Sequence, residues 1–401
     1  MNRGSYIVAA ALAFAAADAS AHHGIANFDL NKDIELEGVI TELAFVNPHS
    51  WLYLNVAGAN GESTPMRCEM RAATVLKRSG WTQDMFAAGQ RVKITGSPDR
   101  HDPHACYLAT ITLPDGRSMD RYGQLKAPAP VTRADRPARL PNGDPNINGD
   151  WAGEQRVMTD RRGIEGALVP LSVADSLAPG ELPAGARAFP GARGTPESLA
   201  DDAIHTAWSR PSPVALTDAG KKAAEGFDPS SADNPRLRCE PTNILFDWTF
   251  ETFVNRIEQN ESVIRIRYGA MGIDRTIWLN AEHPAQLEPS LAGHSIGRWE
   301  NDVLLVDTVG FKPGVLSADT STLHSDALHV MERFSLDRDG NALRREYAAE
   351  DPKYFTGQYR GADTVLVSDL PYEAPTCDDR SYVTGQAAPA AQPKPWWMLW
   401  K

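Results

Sequence analysis

From Phe250 to Ser368 the chain is a succession of short segments in which apolar and polar residues alternate, separated by turn residues. Strand side chains point to opposite faces with a period of two, and little here repeats at the helical spacing. The segments are Phe250–Ile257, Ser262–Tyr268, Arg275–Leu279, Ser295–Glu300, Val303–Thr308, Leu328–Leu336, Ala342–Ala348 and Asp363–Ser368. Their joints carry Asn260, Gly269, Gly272, Asn301-Asp302 and Asp339-Gly340-Asn341. About eight such strands predict an antiparallel, lipocalin-like β-barrel over residues 236–385, with a sandwich as the second architecture.

Within this series, the stretch from Gly293 to Phe334 sets Asp307 and Glu332 on otherwise apolar strand faces. A carboxylate there costs several kcal/mol unless it is paired, bonded or protonated. Two readings stay open. One is an ion pair with an arginine such as Arg298 or Arg333. The other is a pocket inside the barrel that holds a small apolar or aromatic molecule, with the carboxylates as its polar groups. An enzyme would need an acid and a base in a dry pocket. Asp307, Glu332, His324, His329, Asp326 and Asp351 supply the types, and Tyr268 can point inward with Ile264 and Ile266 on the other face of Arg265 and Arg267. His329 falls on the strand face opposite Glu332. The chemistry such groups support without a cofactor is proton transfer, as in an isomerase, lyase or dehydratase. Gly293-His294-Ser295-Ile296-Gly297 has the letters of a nucleophile elbow, but a strand follows it where a helix is required. No phosphate-binding loop, dinucleotide fingerprint or HExxH motif occurs.

The chain has 401 residues and a net charge of −12, which argues against nucleic acid or an anionic membrane as a partner. Residues 1–21 read as a secretory signal. Arg3 is its positive start, Tyr6–Ala17 its short apolar run, and Ala19-Ser20-Ala21 its small-residue cleavage site. No segment has the ~20 apolar residues of a bilayer span. A periplasmic or secreted address follows, and the four cysteines suit it. The simplest of their three pairings joins Cys68 to Cys106 and Cys239 to Cys377.

Residues 22–124 predict a small OB-like barrel. Ile34–Ala44, Trp51–Val56, Arg91–Gly96 and Tyr107–Leu113 read as strands, and Ala72–Arg78 reads as a helix stopped by Gly80. Residues 125–235 are rich in Pro, Ala and Gly and predict a connecting region that is partly packed, with an ordered entry at Ile147–Trp151 and a helix starting at Thr217 or Asp218. Residues 386–401 form a tail with Trp396-Trp397-Met398-Leu399-Trp400. Oligomeric state is not legible.

The pattern His22-His23-Gly24, Leu36-Glu37-Gly38-Val39-Ile40, Asn47-Pro48-His49-Ser50-Trp51, Glu69-Met70 and Val92–Pro98 resembles a domain family of unknown function in secreted bacterial proteins, where a histidine pair directly follows the signal. Residues Arg238–Tyr382, with His294–Phe311, Leu328–Phe334 and the late Cys377, resemble a second uncharacterised family of secreted bacterial proteins. That family has a glycine where this chain has Asn301, and a tighter pattern around its final cysteine. Neither resemblance implies an established chemistry.

The mature N-terminus carries the most specific chemical signal. Cleavage after Ala21 gives His22 both an α-amine and an imidazole, and His49 or His23 can add a third nitrogen. Such a set suits copper in a tetragonal arrangement. Cleavage after Ser20 instead makes Ala21-His22-His23 an amino-terminal copper or nickel site. Glu69, His101 and His104 are further ligand types nearby in sequence.

Overall fold

The computed structural model describes residues 28–30, 32–58, 62–100, 102–125, 136–158, 168–171, 214–228, 233–317 and 321–378. The expected signal segment, His22, His23, His101 and the tryptophan-rich tail lie outside the described residues.

The N-terminal part is a small barrel. Its strands are β1 (Ile34–Ala44), β2 (Trp51–Ala57), β3 (Ser63–Glu69), β4 (Arg91–Pro98) and β5 (Ala105–Thr112), with the short β6 (Ser118–Asp120) appended to β5. The order β3-β2-β1-β4-β5 closes because β3 also pairs with β5, in parallel, over Arg67–Glu69. Cys68 and Cys106 face each other in that closing register and form a disulfide, so a covalent bond lies where the barrel shuts. Helix α1 (Ala73–Arg78) follows β3 and places Val75 and Leu76 against the body of the molecule.

The C-terminal barrel has nine strands. In chain order they are β7 (Gly149–Gly153), β8 (Val254–Gln259), β9 (Val263–Arg267), β10 (Asp274–Leu279), β11 (His294–Glu300), β12 (Val303–Val309), β13 (His329–Leu336), β14 (Ala342–Glu350) and β15 (Tyr359–Val367). Neighbours follow in this order around the ring, and β7 closes it between β15 and β8. Two features depart from the sequence-based expectation. The closing strand comes from the connecting region, where Ile147–Trp151 predict only an ordered entry. The barrel is also mixed, because β10 and β11 run in parallel. Residues 280–293 supply the crossover such a pair requires. Cys239 and Cys377 form the second expected disulfide. Helix α2 (Asp218–Ala223) starts as expected, with the Thr217 side chain accepting from the Gly220 amide.

The barrel interior holds the chain's own side chains. Residues 243–248 enter it, and Trp248 meets Tyr268 and Phe334 edge-on at centroid separations of 5.6 and 6.0 Å. The Ile244 carbonyl accepts from the Tyr268 hydroxyl and from Arg345. Ile244, Leu245 and Trp248 thus occupy the space in which an apolar ligand is expected.

The two barrels are fastened by Arg78. It is 4% exposed, and its guanidinium donates to the carbonyls of Gly153 and Thr252 and pairs with Asp369 at 2.8 Å. Ala72 and Val75 pack beside it on Phe253 and Ala270. Replacing Arg78 by alanine strands two buried carbonyls and a carboxylate, and is expected to cost about 2–4 kcal/mol. Calorimetry checks this: the variant should show two separated melting transitions, whereas an unchanged thermogram would mean that the fastening lies elsewhere.

Candidate functional site

The carboxylates singled out from sequence do not share a pocket. Along β12 and β13, Val306 pairs with Glu332 and Asp307 with Met331. Side chains directly opposite each other lie on one face, so Glu332 and Asp307 lie on opposite faces. Glu332 points inward among Val330 and Phe334 and is fully buried. It pairs with Arg275 and Arg345, not with Arg298 or Arg333, whose partners are Glu300 and Glu346. Arg275 also bonds Ser295 and Thr308, and Arg345 bonds Asp363. Two arginines and two acids therefore form a closed, charge-balanced network in the barrel. The signal for it was present in the chain: Arg275 alternates in step with Ile277 and Leu279, and Arg345 with Leu343 and Tyr347.

Asp307 lies on the outer face. Its Oδ1 is 2.9 Å from Nε2 of His329 and 3.3 Å from Nε2 of His283, whose Nδ1 is 2.9 Å from Nδ1 of His294. Burial, then the neighbouring His283, holds the His294 imidazole below its ordinary pKa. The pairing of His329 with Asp307, on the face away from Glu332, follows from strand parity. Among the described residues no three His, Cys, Asp or Glu side chains form a ready-made metal cage, these included.

The other expected residues are dispersed. Tyr268 is interior, and burial pushes its hydroxyl up to about 12. His324 is buried with Nδ1 on the Ser325 carbonyl, and burial lowers its pKa. Asp351 binds the Ser325 amide and hydroxyl, a structural turn. Asp326 is exposed and paired with Lys353. Asp307, Glu332, His324, Asp326 and Tyr268 are thus no single catalytic constellation, because strand parity and the loop before β13 send them to different places.

A different cluster is assembled where the small barrel faces the larger one. The Ser50 amide bonds the Arg71 carbonyl, and the Met70 amide bonds the Ser50 carbonyl. This prolongs the β2–β3 pairing and brings His49 beside Glu69. His49 Nδ1 is 3.0 Å from Glu69 Oε1; the carboxylate is 3% exposed and the imidazole 27%. Burial lowers the imidazole pKa and the Glu69 charge raises it; the net result lies above the ordinary value. Arg121 lies 3.5 Å from the same carboxylate oxygen and stacks 3.6 Å above the Tyr107 ring. The hydroxyls of Tyr107 and Tyr122 are 2.7 Å apart.

From the larger barrel comes Glu251, whose carboxylate is 3.1 Å from Arg71. Glu251 and Thr252 have φ of 45° and 58°, two successive left-handed residues that are not glycine. Each such residue costs about 1–3 kcal/mol and is held there by its surroundings. Burial pushes the Glu251 carboxyl up, but Arg71, Arg156 and His49 together hold it below the ordinary value. Two cavities at this junction, of about 70 and 50 Å³, share Asn47, Phe253, Gly269 and Pro375 in their walls. Each is far below the ~300 Å³ that a drug-sized ligand fills. Sequence reasoning named His49 and Glu69 here but missed Arg71, Arg121 and Glu251. Arg71, two residues after Glu69, was the accessible clue; Glu251 arrives from 180 positions away.

No helix among the described residues is long and apolar enough to cross a membrane. The two disulfides fit an extracytoplasmic compartment. No curated protein and no solved structure matches the chain. Residues 10–106 match a family described as a family of unknown function, DUF6152; this span contains Asn47, His49 and Glu69 and ends before the larger barrel.

Proposed function

We propose that the chain is an exported copper-binding protein, with His49 as the ligand built into the fold and His22, preceded by signal cleavage, as its partner. The observation that carries this reading is the His49–Glu69 pair. With Glu69 Oε1 3.0 Å from Nδ1, the carboxylate charge favours a proton on Nδ1 and leaves Nε2 to bear the lone pair, as carboxylates behind metal-binding histidines do. Phe28, the first described residue, lies on the same side of the small barrel as this pair. Phe28 packs on Tyr107 at 5.2 Å between centroids, Tyr107 lies under Arg121, and Arg121 is bonded to Glu69. Six residues span at most about 20 Å, which sets the upper limit on the reach from Phe28 to a ligand at His22. Amine and imidazole nitrogens favour copper over zinc. Binding and carriage of the ion is the activity proposed.

The test is titration of protein beginning at His22 with Cu(II), read by electron paramagnetic resonance. One ion should bind with a nitrogen-rich tetragonal spectrum. His49→Ala should weaken it at least about 100-fold, and Glu69→Gln about 10-fold. Equal affinity in His49→Ala and the parent would overturn the reading. In that case His23→Ala would locate the ion at the terminus alone.

A further inference from the structure

Three arginines and three carboxylates gather around His49. Glu69 is engaged by His49 and Arg121, and Glu251 by Arg71, while Arg156 feels the charges of Glu251 and Glu154. A chain of net charge −12 offers anions no long-range attraction, so whatever answers these guanidiniums must do so by contact.

Two hydrogen-bond donors point the same way. Arg71 and Arg121 are 4% and 5% exposed, and the Nε of each is buried without an acceptor among the described residues. A buried donor left unsatisfied costs about 1–3 kcal/mol, and native structures rarely retain one without a purpose. Both guanidiniums are held by aromatic faces, Arg71 5.0 Å from the Tyr122 centroid and Arg121 3.6 Å from that of Tyr107. Stacking fixes the plane of a guanidinium and leaves its edge for in-plane acceptors, the geometry that matches paired oxygens. The left-handed Glu251 holds its carboxylate on Arg71 from the other barrel, in the manner of a resident stand-in for such a ligand.

We infer that the junction of the two barrels binds a small oxyanion, a carboxylate or a phosphate, between Arg71, Arg121 and Arg156, with Glu251 as its competitor for Arg71. This site stands on the arginines and does not require that His49 hold copper. Arg71 and Arg121 are nearly fully buried, which limits the ligand to a few heavy atoms.

The experiment uses full-length processed protein stripped of metal with a chelator. Inorganic phosphate and malonate are titrated separately by calorimetry, with sodium chloride at matched ionic strength as the control. Saturable binding tighter than about 1 mM is expected for one of the two. Response to phosphate alone assigns a phosphoryl oxyanion, and response to malonate alone a carboxylate. Arg71→Gln should weaken binding at least about tenfold. Glu251→Gln, which frees Arg71 while keeping a polar side chain, should strengthen it about tenfold, a gain that a folding defect cannot mimic. If neither anion exceeds chloride in the parent and in Glu251→Gln, the inference is overturned. Because metal is absent throughout, that result leaves the copper reading untouched, and failure of copper binding leaves this one untouched.

Discussion

Glu332→Ala should destabilise the larger barrel by about 3–5 kcal/mol, because it leaves Arg275 and Arg345 buried without their shared counter-charge. Both arginines are 0–1% exposed, so neither can turn to water without opening the barrel. Arg345 retains Asp363 and the carbonyls of Ile244 and Leu245, whereas Arg275 keeps only hydroxyl partners. Arg275 is thus the stranded charge, and removing it as well should recover part of the loss. The double variant Arg275→Met with Glu332→Leu is expected to be more stable than Glu332→Ala by about 1–3 kcal/mol. Urea unfolding with the disulfides intact, followed by amide exchange in Val330–Phe334, measures both. A loss below about 1 kcal/mol for Glu332→Ala would mean that the network is hydrated and not the closed set described above.

The same network explains what could and could not be read from the chain. Strand positions in the larger barrel were legible because turn residues punctuate a period of two. Face assignment was not. In β12 both parities are apolar, with Val303, Leu305 and Val309 on one side and Leu304 and Val306 on the other. Alternation alone therefore cannot say which side Asp307 takes. The register against β13 decides it, and register depends on partners distant in sequence. In the small barrel β3 escaped notice for a local reason. Ser63–Glu69 holds Ser, Thr, Arg, Glu and Pro65, which read as loop. Proline is tolerated because the parallel contact with β5 begins only at Arg67, so Pro65 lies where β3 has a single neighbour. The cysteine pairing was legible from position in the chain, whereas the junction cluster was not, since Arg71 and Glu251 come from different barrels. His49 could be picked out as a ligand type; the carboxylate that orients it became evident only with the β2–β3 pairing.

Asp247→Asn is expected to stabilise the protein at pH 8 by about 2–4 kcal/mol and to leave it nearly unchanged near pH 4. Asp247 lies in the segment that fills the larger barrel and is 1% exposed. One carboxylate oxygen accepts from the Thr242 amide at 2.8 Å, and the other is buried without a hydrogen-bond partner among the described residues. Burial drives its pKa from 3.8 to about 7, against the pull of Arg236 and the Thr242 bond. The sign follows from linkage. The folded state holds this proton more tightly than the unfolded chain does, so the favourable contribution is complete below about 4. It is lost progressively as pH rises through about 7, where the folded state must carry the charge. A proton held up to about 7 instead of 3.8 corresponds to about 4 kcal/mol. Asparagine keeps an acceptor for the Thr242 amide and never ionises, so its advantage should grow across this window and level off above it. Stability curves of parent and variant from pH 4 to 9 measure the difference. A pH-independent offset between them would show that Asp247 stays ionised throughout and that its partners, not burial, govern its charge.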